Sequence, residues 1–439
     1  MNILILGAGR IGAYLAGVLS GDGHDVIVLD KDSKALEKVG RYADVATKLG
    51  SGTDWRVYAE LAERSPHLLI ALSGNDATNL VACSIAKNLG FPKTVARMRS
   101  TSYFQAERLD FNRLFFVDDF IGVELIVAHD IFNQVRYPGN VSIENFAHGA
   151  VQMRTIEIPK DWKEKQTKIV DLALHQNLLV GLIWRDGALI FPKGSDHIAA
   201  GDEVTFIGET KVMLGLDAFF GMPEKKSRRV TLFGGTAVAL ELAQILEEQK
   251  IEVQIIEPNE AQCKELAEAL PYATILNQEI TEASLERDAF VACTSSTETN
   301  ILAGALAQHA GCDPVIALVS EAKKYAPLLK KVGITQIASE RESIAKRIQS
   351  MVHTEDIVAI SSLYDNRAKI VEVKVSPDSR IVGIPIANLR ASLPSDFLIA
   401  LIYNRGRVMI AKGSHILSPE DTVIIICGPK ALIELEKTF

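Results

Sequence analysis

Three glycines and one carboxylate near the start of the chain have the spacing of a phosphate-binding turn. Gly7, Gly9 and Gly12, in the run Gly7-Ala8-Gly9-Arg10-Ile11-Gly12, lie between a short apolar stretch and a helical pattern. The three glycines serve different needs, since Gly7 allows the tight turn, Gly9 lets the backbone approach a pyrophosphate, and Gly12 allows the helix to pack closely on the strand. The helix that follows would aim unpaired N–H groups and a positive dipole end at the phosphates. Asp30 closes the run Val26–Asp30, about 20 residues further on, where a carboxylate can accept hydrogen bonds from both ribose hydroxyls. A 2′-phosphate there would meet like charge, so NADP is disfavoured.

Other residues fall at the same expected strand ends, where open α/β sheets place ligands. Ser51, Gly52 and Thr53 follow Gly50 after the third strand region and could present backbone N–H groups. Ser73, Gly74 and Asn75 follow the fourth strand. Arg97 and Arg99 end the fifth, where alternation would direct both side chains to one face as a clamp for a terminal phosphate.

Positioning these groups requires a parallel sheet. Asn2–Leu6, Asp25–Leu29, Leu68–Leu72, Thr94–Met98 and Leu114–Val117 read as buried strands alternating with helical stretches, which implies βαβ crossovers and a doubly wound α/β domain. From Phe120 to Arg136 the residues Ile121, Leu125, Ile126, Ile131, Phe132 and Val135 recur at helical spacing, as a core stripe or a subunit-packing face. From about Val151 short strands such as Val180–Trp184, Ala188–Pro192 and Glu203–Gly208 take over, forming a β-rich appendage of about 80 residues. That is too small for the catalytic domain of most dehydrogenases.

The chain is written twice. Ala77–Gly90 lies over Glu298–Gly311, matching Thr78-Asn79 with Thr299-Asn300, and Trp184–Ser195 lies over Tyr403–Ser414, with Asp202 and Asp421 following in register. In the second copy Gly7 corresponds to Gly234, but Gly9 becomes Thr236 and Gly12 becomes Ala239. Glu257 keeps the acidic position, Asn277-Gln278-Glu279 replaces the serine–glycine turn, and Arg97 and Arg99 align with Ala317 and Val319. A Cβ at the point of closest approach should crowd a pyrophosphate, so one tight nucleotide per chain is expected.

Composition excludes several classes. With 48% hydrophobic and 23% charged residues the chain is globular, and its longest apolar runs are far short of the ~20 residues a membrane helix needs. A strand starting at Asn2 leaves no room for a signal peptide, so a cytoplasmic protein is expected. Cys83, Cys263, Cys293, Cys312 and Cys427 are scattered as core thiols, without metal or disulfide spacing. The net charge of −8 disfavours a nucleic-acid partner, and the basic cluster Lys225, Lys226, Arg228 and Arg229 reads as a solvated linker. No catalytic motif or acid/base set stands beside the glycine loop, which leaves an NAD-dependent oxidoreductase as the alternative reading and a ligand sensor for another transporter as a third.

The order of motifs (GAGRIG, VIVLD, GSGT, NDATNLVACSIAKNLG, TVARMRSTSY, then a β-rich module ending in KGS and GDEV) resembles TrkA, the family of peripheral regulatory subunits of bacterial and archaeal potassium uptake systems, over essentially the whole chain. The resemblance implies two tandem Rossmann-like (RCK-N) domains at 1–137 and 228–352, each followed by a small α+β TrkA-C-like (RCK-C) domain at 138–222 and 353–439. It implies a non-enzymatic subunit at the cytoplasmic face of the membrane that joins a Trk-type membrane potassium transporter subunit. It also implies a homo-oligomeric gating ring, a tetramer or a dimer of dimers, answering to NAD(H) or to ATP and ADP. By position, Gly7 to Ile11, Asp30, Ser73, Gly74 and Arg97 would contact the nucleotide, with Arg99 as phosphate sensor.

Overall fold

A computed structural model of the chain describes all residues except 105–108, 138–139, 163–166, 223–228, 286–288, 335, 353–356, 365–366, 380, 390–396, 405, 429–430 and 432–439. The first copy runs β1 (Asn2–Leu6), α1 (Arg10–Gly21), β2 (Asp25–Asp30), α2 (Ser33–Tyr42), β3 (Ala46–Leu49), α3 (Trp55–Ala62), β4 (Leu68–Ala71), α4 (Asp76–Asn88), β5 (Lys93–Arg97), α5 (Phe111–Phe115), β6 (Asp119–Ile121) and α6 (Val123–Arg136). Its six strands are all parallel, in the order β3-β2-β1-β4-β5-β6. The order reverses between β1 and β4, which opens a crevice at their carboxyl ends beside the glycine loop.

A β-rich module follows: β7 (Asn140–Phe146), β8 (Val151–Glu157), β9 (Leu178–Arg185), β10 (Ala188–Ile190) and β11 (Glu203–Glu209), then the short helices α7 (Thr210–Met213) and α8 (Leu216–Phe219). The second copy repeats the plan with β12 (Arg229–Phe233), α9 (Ala237–Glu248), β13 (Glu252–Ile256), α10 (Glu260–Ala269), β14 (Thr274–Leu276), β15 (Ala289–Ala292), α11 (Thr297–Ala310), β16 (Val315–Leu318), α12 (Ala322–Lys331), β17 (Gln336–Ala338) and α13 (Glu340–Gln349). The last module holds β18 (Ile357–Leu363), β19 (Ala368–Lys374), α14 (Ile386–Leu389), β20 (Phe397–Asn404), β21 (Arg407–Ile410) and β22 (Thr422–Cys427). Both parallel sheets have the same strand order, and so do both antiparallel ones, β7-β8-β11-β9-β10 and β18-β19-β22-β20-β21. The duplication is therefore structural as well as sequential.

Two compact units result. Residues 1–135 and 227–347, the two parallel-sheet copies, form one; residues 136–226 and 348–439, the two β-rich modules, form the other. In the second unit the modules share a core in which Met153, Leu182 and Ile207 meet Ile370, Leu401 and Ile424. The repeated Asp202 and Asp421 are buried turn anchors: Asp202 accepts from the Ala199 N–H and pairs with Arg185 at 2.7 Å, and Asp421 accepts from the Ser418 N–H and the Asn404 amide. The lysine–glycine–serine turns before them are braced locally, the Lys193 N–H donating to Asp196 at 2.7 Å and the Lys412 N–H to His415 Nδ1 at 3.3 Å.

In the first unit the helical stripe has a definite partner. Val127, Ala128, Ile131, Phe132 and Val135 of α6 are buried against Val230, Leu232, Val238, Leu242 and Leu266 of the second copy. The stripe is core, and the core it enters belongs to the other copy. At ~1.5–3 kcal/mol for each large side chain fully buried, this helix alone is a substantial tie between the copies. Polar contacts fix its register: the Gln134 amide donates to the Ile337 carbonyl at 3.0 Å, and the Ser343 hydroxyl of α13 donates to Asp130 at 2.5 Å.

Two expectations about strands need correction. Leu114–Val117 is not a strand: Asp110 caps α5 by accepting from the Arg113 N–H, the helix ends at Phe116 with φ +56°, and the strand is Asp119–Ile121. The apolar run belonged to a short helix that tucks Phe115 against the core. The edge strand β3 gave no apolar signal, because three of its four residues are exposed. Of the basic cluster, Lys225, Lys226 and Arg228 lie outside the described residues, while Arg229 starts β12 and pairs with Glu252 at 3.1 Å.

Candidate functional site

The glycine loop joins β1 to α1, and its three glycines differ in what they do. Gly7 has φ +109°, and a Cβ there would lie 3.1 Å from the Leu72 backbone at the end of β4. A Cβ at Gly12 would overlap the Gly7 carbonyl oxygen. Conformation and packing demand both. Gly9 is different: its φ of −68° suits any residue, and a Cβ would meet nothing within 4 Å. Packing does not require glycine at the point where the loop opens outward.

Gly9 is also the N-cap of α1, and no side chain caps that helix. Its first-turn N–H groups and positive dipole end therefore face the crevice without a built-in acceptor. In the second copy Thr236 takes the N-cap of α9, where its hydroxyl accepts from the Ala239 N–H and donates to the Cys293 carbonyl at 2.7 Å. Behind it, a Cβ on Gly235 would lie 2.8 Å from the side chains of Gln262 and Leu266. The second loop closes on itself with its own side chains; the first keeps the anion-binding features of a phosphate turn.

Asp30 organises the loop. Its Oδ2 accepts from the Ala8 N–H at 2.6 Å and its Oδ1 from the Asp32 N–H at 2.9 Å. Glu257 repeats the arrangement, accepting from Gly235 at 2.6 Å and Asn259 at 2.8 Å. The acidic residue thus serves both loops alike and does not distinguish them, although each oxygen keeps lone-pair capacity for a hydroxyl. Arg10 stands outside the loop, 68% exposed, with its guanidinium 3.7 Å from Glu340 of α13. Ile11 is buried.

The later turns pack more than they present. A Cβ on Gly52 would lie 2.8 Å from Leu6, the Gly50 N–H donates to the Asp30 carbonyl, and the Thr53 N–H donates to the Ser51 hydroxyl. Ser73 donates its N–H and hydroxyl to Asn79, and Asn75 caps α4. Asn79 is fully buried, and its amide donates to the carbonyls of Ser73 and Arg97, latching β4 to β5. Asn300 does the same for Thr294 and Leu318. The repeated asparagine is thereby explained as a latch.

That latch also corrects the alignment of the arginines. Asn79 bonds Arg97 where Asn300 bonds Leu318, and the Met98 N–H meets Ile121 where the Val319 N–H meets Ala338. Arg97 and Arg99 therefore correspond to Leu318 and Ser320, one residue beyond the positions expected from sequence. Nor do they form an open clamp. Arg97 is largely buried and its Nη2 pairs with Glu124 Oε1 at 3.0 Å, while Arg99 is exposed and anchors its N–H on Asp76.

A cleft of about 910 Å³ lies beside the loop. Ala8, Gly9, Arg10 and Tyr14 form its floor, Lys34 and Lys38 of α2 one wall, and Lys324 of α12 and Arg341 of α13 the opposite wall from the second copy. Five cations face three carboxylates there, Asp32, Glu321 and Glu342. Sequence reading missed the second-copy groups because they lie some 300 residues from the loop, and no periodicity links them. Among the described residues no group of three or more metal-ligating side chains occurs, and no helix is long and apolar enough to cross a membrane.

Comparison with known proteins places this geometry in a family context. Residues 3–114 and 230–340 match the TrkA-N domain, and residues 370–439 match the TrkA-C domain. Over 454 aligned positions the sequence is 31% identical to the Trk system potassium uptake protein TrkA homolog 1 of Methanosarcina mazei, covering 100% of both chains. It is 28% identical to the TrkA of Halomonas elongata, covering 100% of this chain and 98% of the relative. Among solved structures, the GsuK channel bound to NAD superposes with a TM-score of 0.65 at 16% identity, covering 100% of this chain and 78% of that one. The isolated GsuK RCK domain superposes at 0.62 and 16%, covering 100% and 94%. These two likenesses establish the fold.

Proposed function

The chain belongs to the TrkA family, and from that premise we propose that it is a nucleotide-sensing regulatory subunit of a potassium uptake system. The relatives that align over its whole length are named as Trk system potassium uptake proteins, and a fold neighbour was solved with NAD. The observation that carries the nucleotide reading is the contrast between two loops of one fold: α1 starts at an uncapped Gly9 with open space beside it, and α9 starts at a self-capped Thr236.

The residues present fit a nucleotide. The N–H groups of the Gly7–Gly12 loop would hold the phosphates, Asp30 would orient the ribose while bracing the loop, and Ser73, Gly74 and Asn75 would border the far end of the ligand. Arg97 would reach a ligand only by giving up Glu124, and Arg99 lies exposed nearby. When bound, NAD(H), ATP or ADP supplies charge and shape for recognition. A ligand can shift the protein only by its different affinities for two arrangements. The two copies, tied by α6, are the element whose arrangement such a ligand would bias. In this reading the chain works at the inner face of the membrane through a Trk-type membrane subunit, within a homo-oligomeric ring, and carries out no catalysis.

Potassium flux into liposomes holding the Trk membrane subunit, with and without this chain and with NAD, NADH, ATP or ADP, tests the proposal. Nucleotide-dependent flux is expected. Flux indifferent to the chain and to every nucleotide would refute it, and turnover of NADH with carbonyl substrates would favour an oxidoreductase instead.

A further inference from the structure

The helix that follows each glycine loop meets the other copy, and the charged groups it meets there differ. In the first copy, α1 carries Arg10 and Tyr14 into the cleft where α13 brings Glu340 and Arg341. In the second, the equivalent of Tyr14 is Glu241 on α9, and the equivalent of Arg341 is Glu124 on α6. Glu241 has its carboxyl pushed up by burial and by Glu124. In the first cleft Lys324 and Arg341 stand among the carboxylates Glu321, Glu340 and Glu342, whereas beside the second loop Glu241 meets Glu124, which is itself paired with Arg97, and no lysine or arginine replaces Arg341.

The cations of the first wall are available for exchange. Arg10 pairs with Glu340 at 3.7 Å and Arg341 with Glu321 at 3.2 Å, both pairs partly exposed. Such pairs are weak in water, whereas a phosphate bearing two charges makes stronger, charge-assisted contacts with the same guanidinium. Among the described residues no ion pair engages Lys324, Lys34 or Lys38. Arg97 and Arg99, by contrast, do not line this cleft.

We propose that the second copy supplies two of the phosphate-gripping cations of the first copy's site: Lys324 and Arg341 close on the terminal phosphate of a nucleoside di- or triphosphate seated on the Gly7–Gly12 loop. Arg10 and Arg341 exchange Glu340 and Glu321 for that phosphate. The number of phosphates is then read as the setting of the two copies relative to each other, and the degenerate copy is a recognition element of the working site. The inference rests on the nucleotide reading above and names which group of the nucleotide is sensed.

Calorimetric titration of the full-length protein with ATP, ADP and AMP tests it. The Lys324→Ala/Arg341→Gln double variant should lose affinity for ATP by about 10-fold or more, while AMP changes by less than about two-fold. Glu321→Gln, which removes the competitor of Arg341, should bind ATP more tightly than the parent, so a loss caused by misfolding is separable from a lost contact. Unchanged ATP affinity in the double variant, or equal losses for ATP and AMP, overturns the proposal. If the parent binds nucleotide and Gly9→Val abolishes it while both wall variants behave as the parent, only this inference falls. If the parent binds no adenine nucleotide, the sensing reading falls with it.

Discussion

Gly9 and Thr236 occupy one position of one fold, and a single side chain separates their chemistry. A Gly9→Val side chain fits the present packing, since a Cβ there meets nothing within 4 Å, so its effect should appear in binding and not in stability. Calorimetry should show at least a 100-fold loss of nucleotide affinity, with a thermal midpoint within about 2 °C of the parent. Thr236→Ala should do the reverse, destabilising by about 0.5–2 kcal/mol through the lost cap while leaving nucleotide affinity unchanged in denaturant titration and calorimetry. Asp130 offers a pH test. Burial raises its carboxyl above the ordinary range, and the Ser343 hydroxyl, Lys346 and His129 lower it in part. Because the folded state holds this proton more tightly than the unfolded chain, the group's stabilising contribution is full below the ordinary carboxylate range of about 4 and is lost as pH rises through the raised value. Asp130→Asn should therefore raise the thermal midpoint at pH 7 relative to the parent, and the advantage should vanish near pH 4 in melts by circular dichroism.

At the scale of elements, α6 decides how the copies communicate. Glu124 in its first turn holds Arg97 at the end of β5 in the first copy, while Ile131, Phe132 and Val135 further along are buried in the second. The ion pair is short and largely buried, and Arg97 Nε and Glu124 Oε2 lack hydrogen-bond partners. Breaking such a pair by truncating one member leaves a desolvated charge behind. Ile131→Ala should cost about 2–5 kcal/mol in urea unfolding, the range for emptying a buried aliphatic site, and amide exchange should speed up in α9 and β12 of the second copy. If exchange changed only in the first copy, α6 would not be the tie. Helical periodicity announced this element and its end at Arg136, but the helix starts at Val123, two residues after Ile121, which ends β6. The apolar pattern could not say which sheet the helix covers, because a stripe records that a face is buried and not against what.

For the whole molecule, duplication has produced one open loop and one closed loop within a single compact unit, so the full-length protein should bind one tight nucleotide per chain. Calorimetric stoichiometry near two, with similar affinities, would contradict the role given to Thr236. Much of this was legible beforehand. The residue order carried the doubled α/β plan, the β-rich modules, the glycine loop and its loss in the second copy, because strand runs, turn glycines and motif spacing are local signals that survive without tertiary context. It placed Leu114–Val117 in a strand and passed over β3, since a short capped helix can look like an apolar run and an exposed edge strand has none. Packing alone revealed that Arg97 is held by Glu124, that Asn79 and Asn300 are latches, that α6 belongs to the core of the other copy, and that Lys324 and Arg341 line the cleft beside the first loop. The physical reason is the same in each case: charge pairing and burial depend on distances across hundreds of residues, and those distances exist only once the sheets and helices have packed.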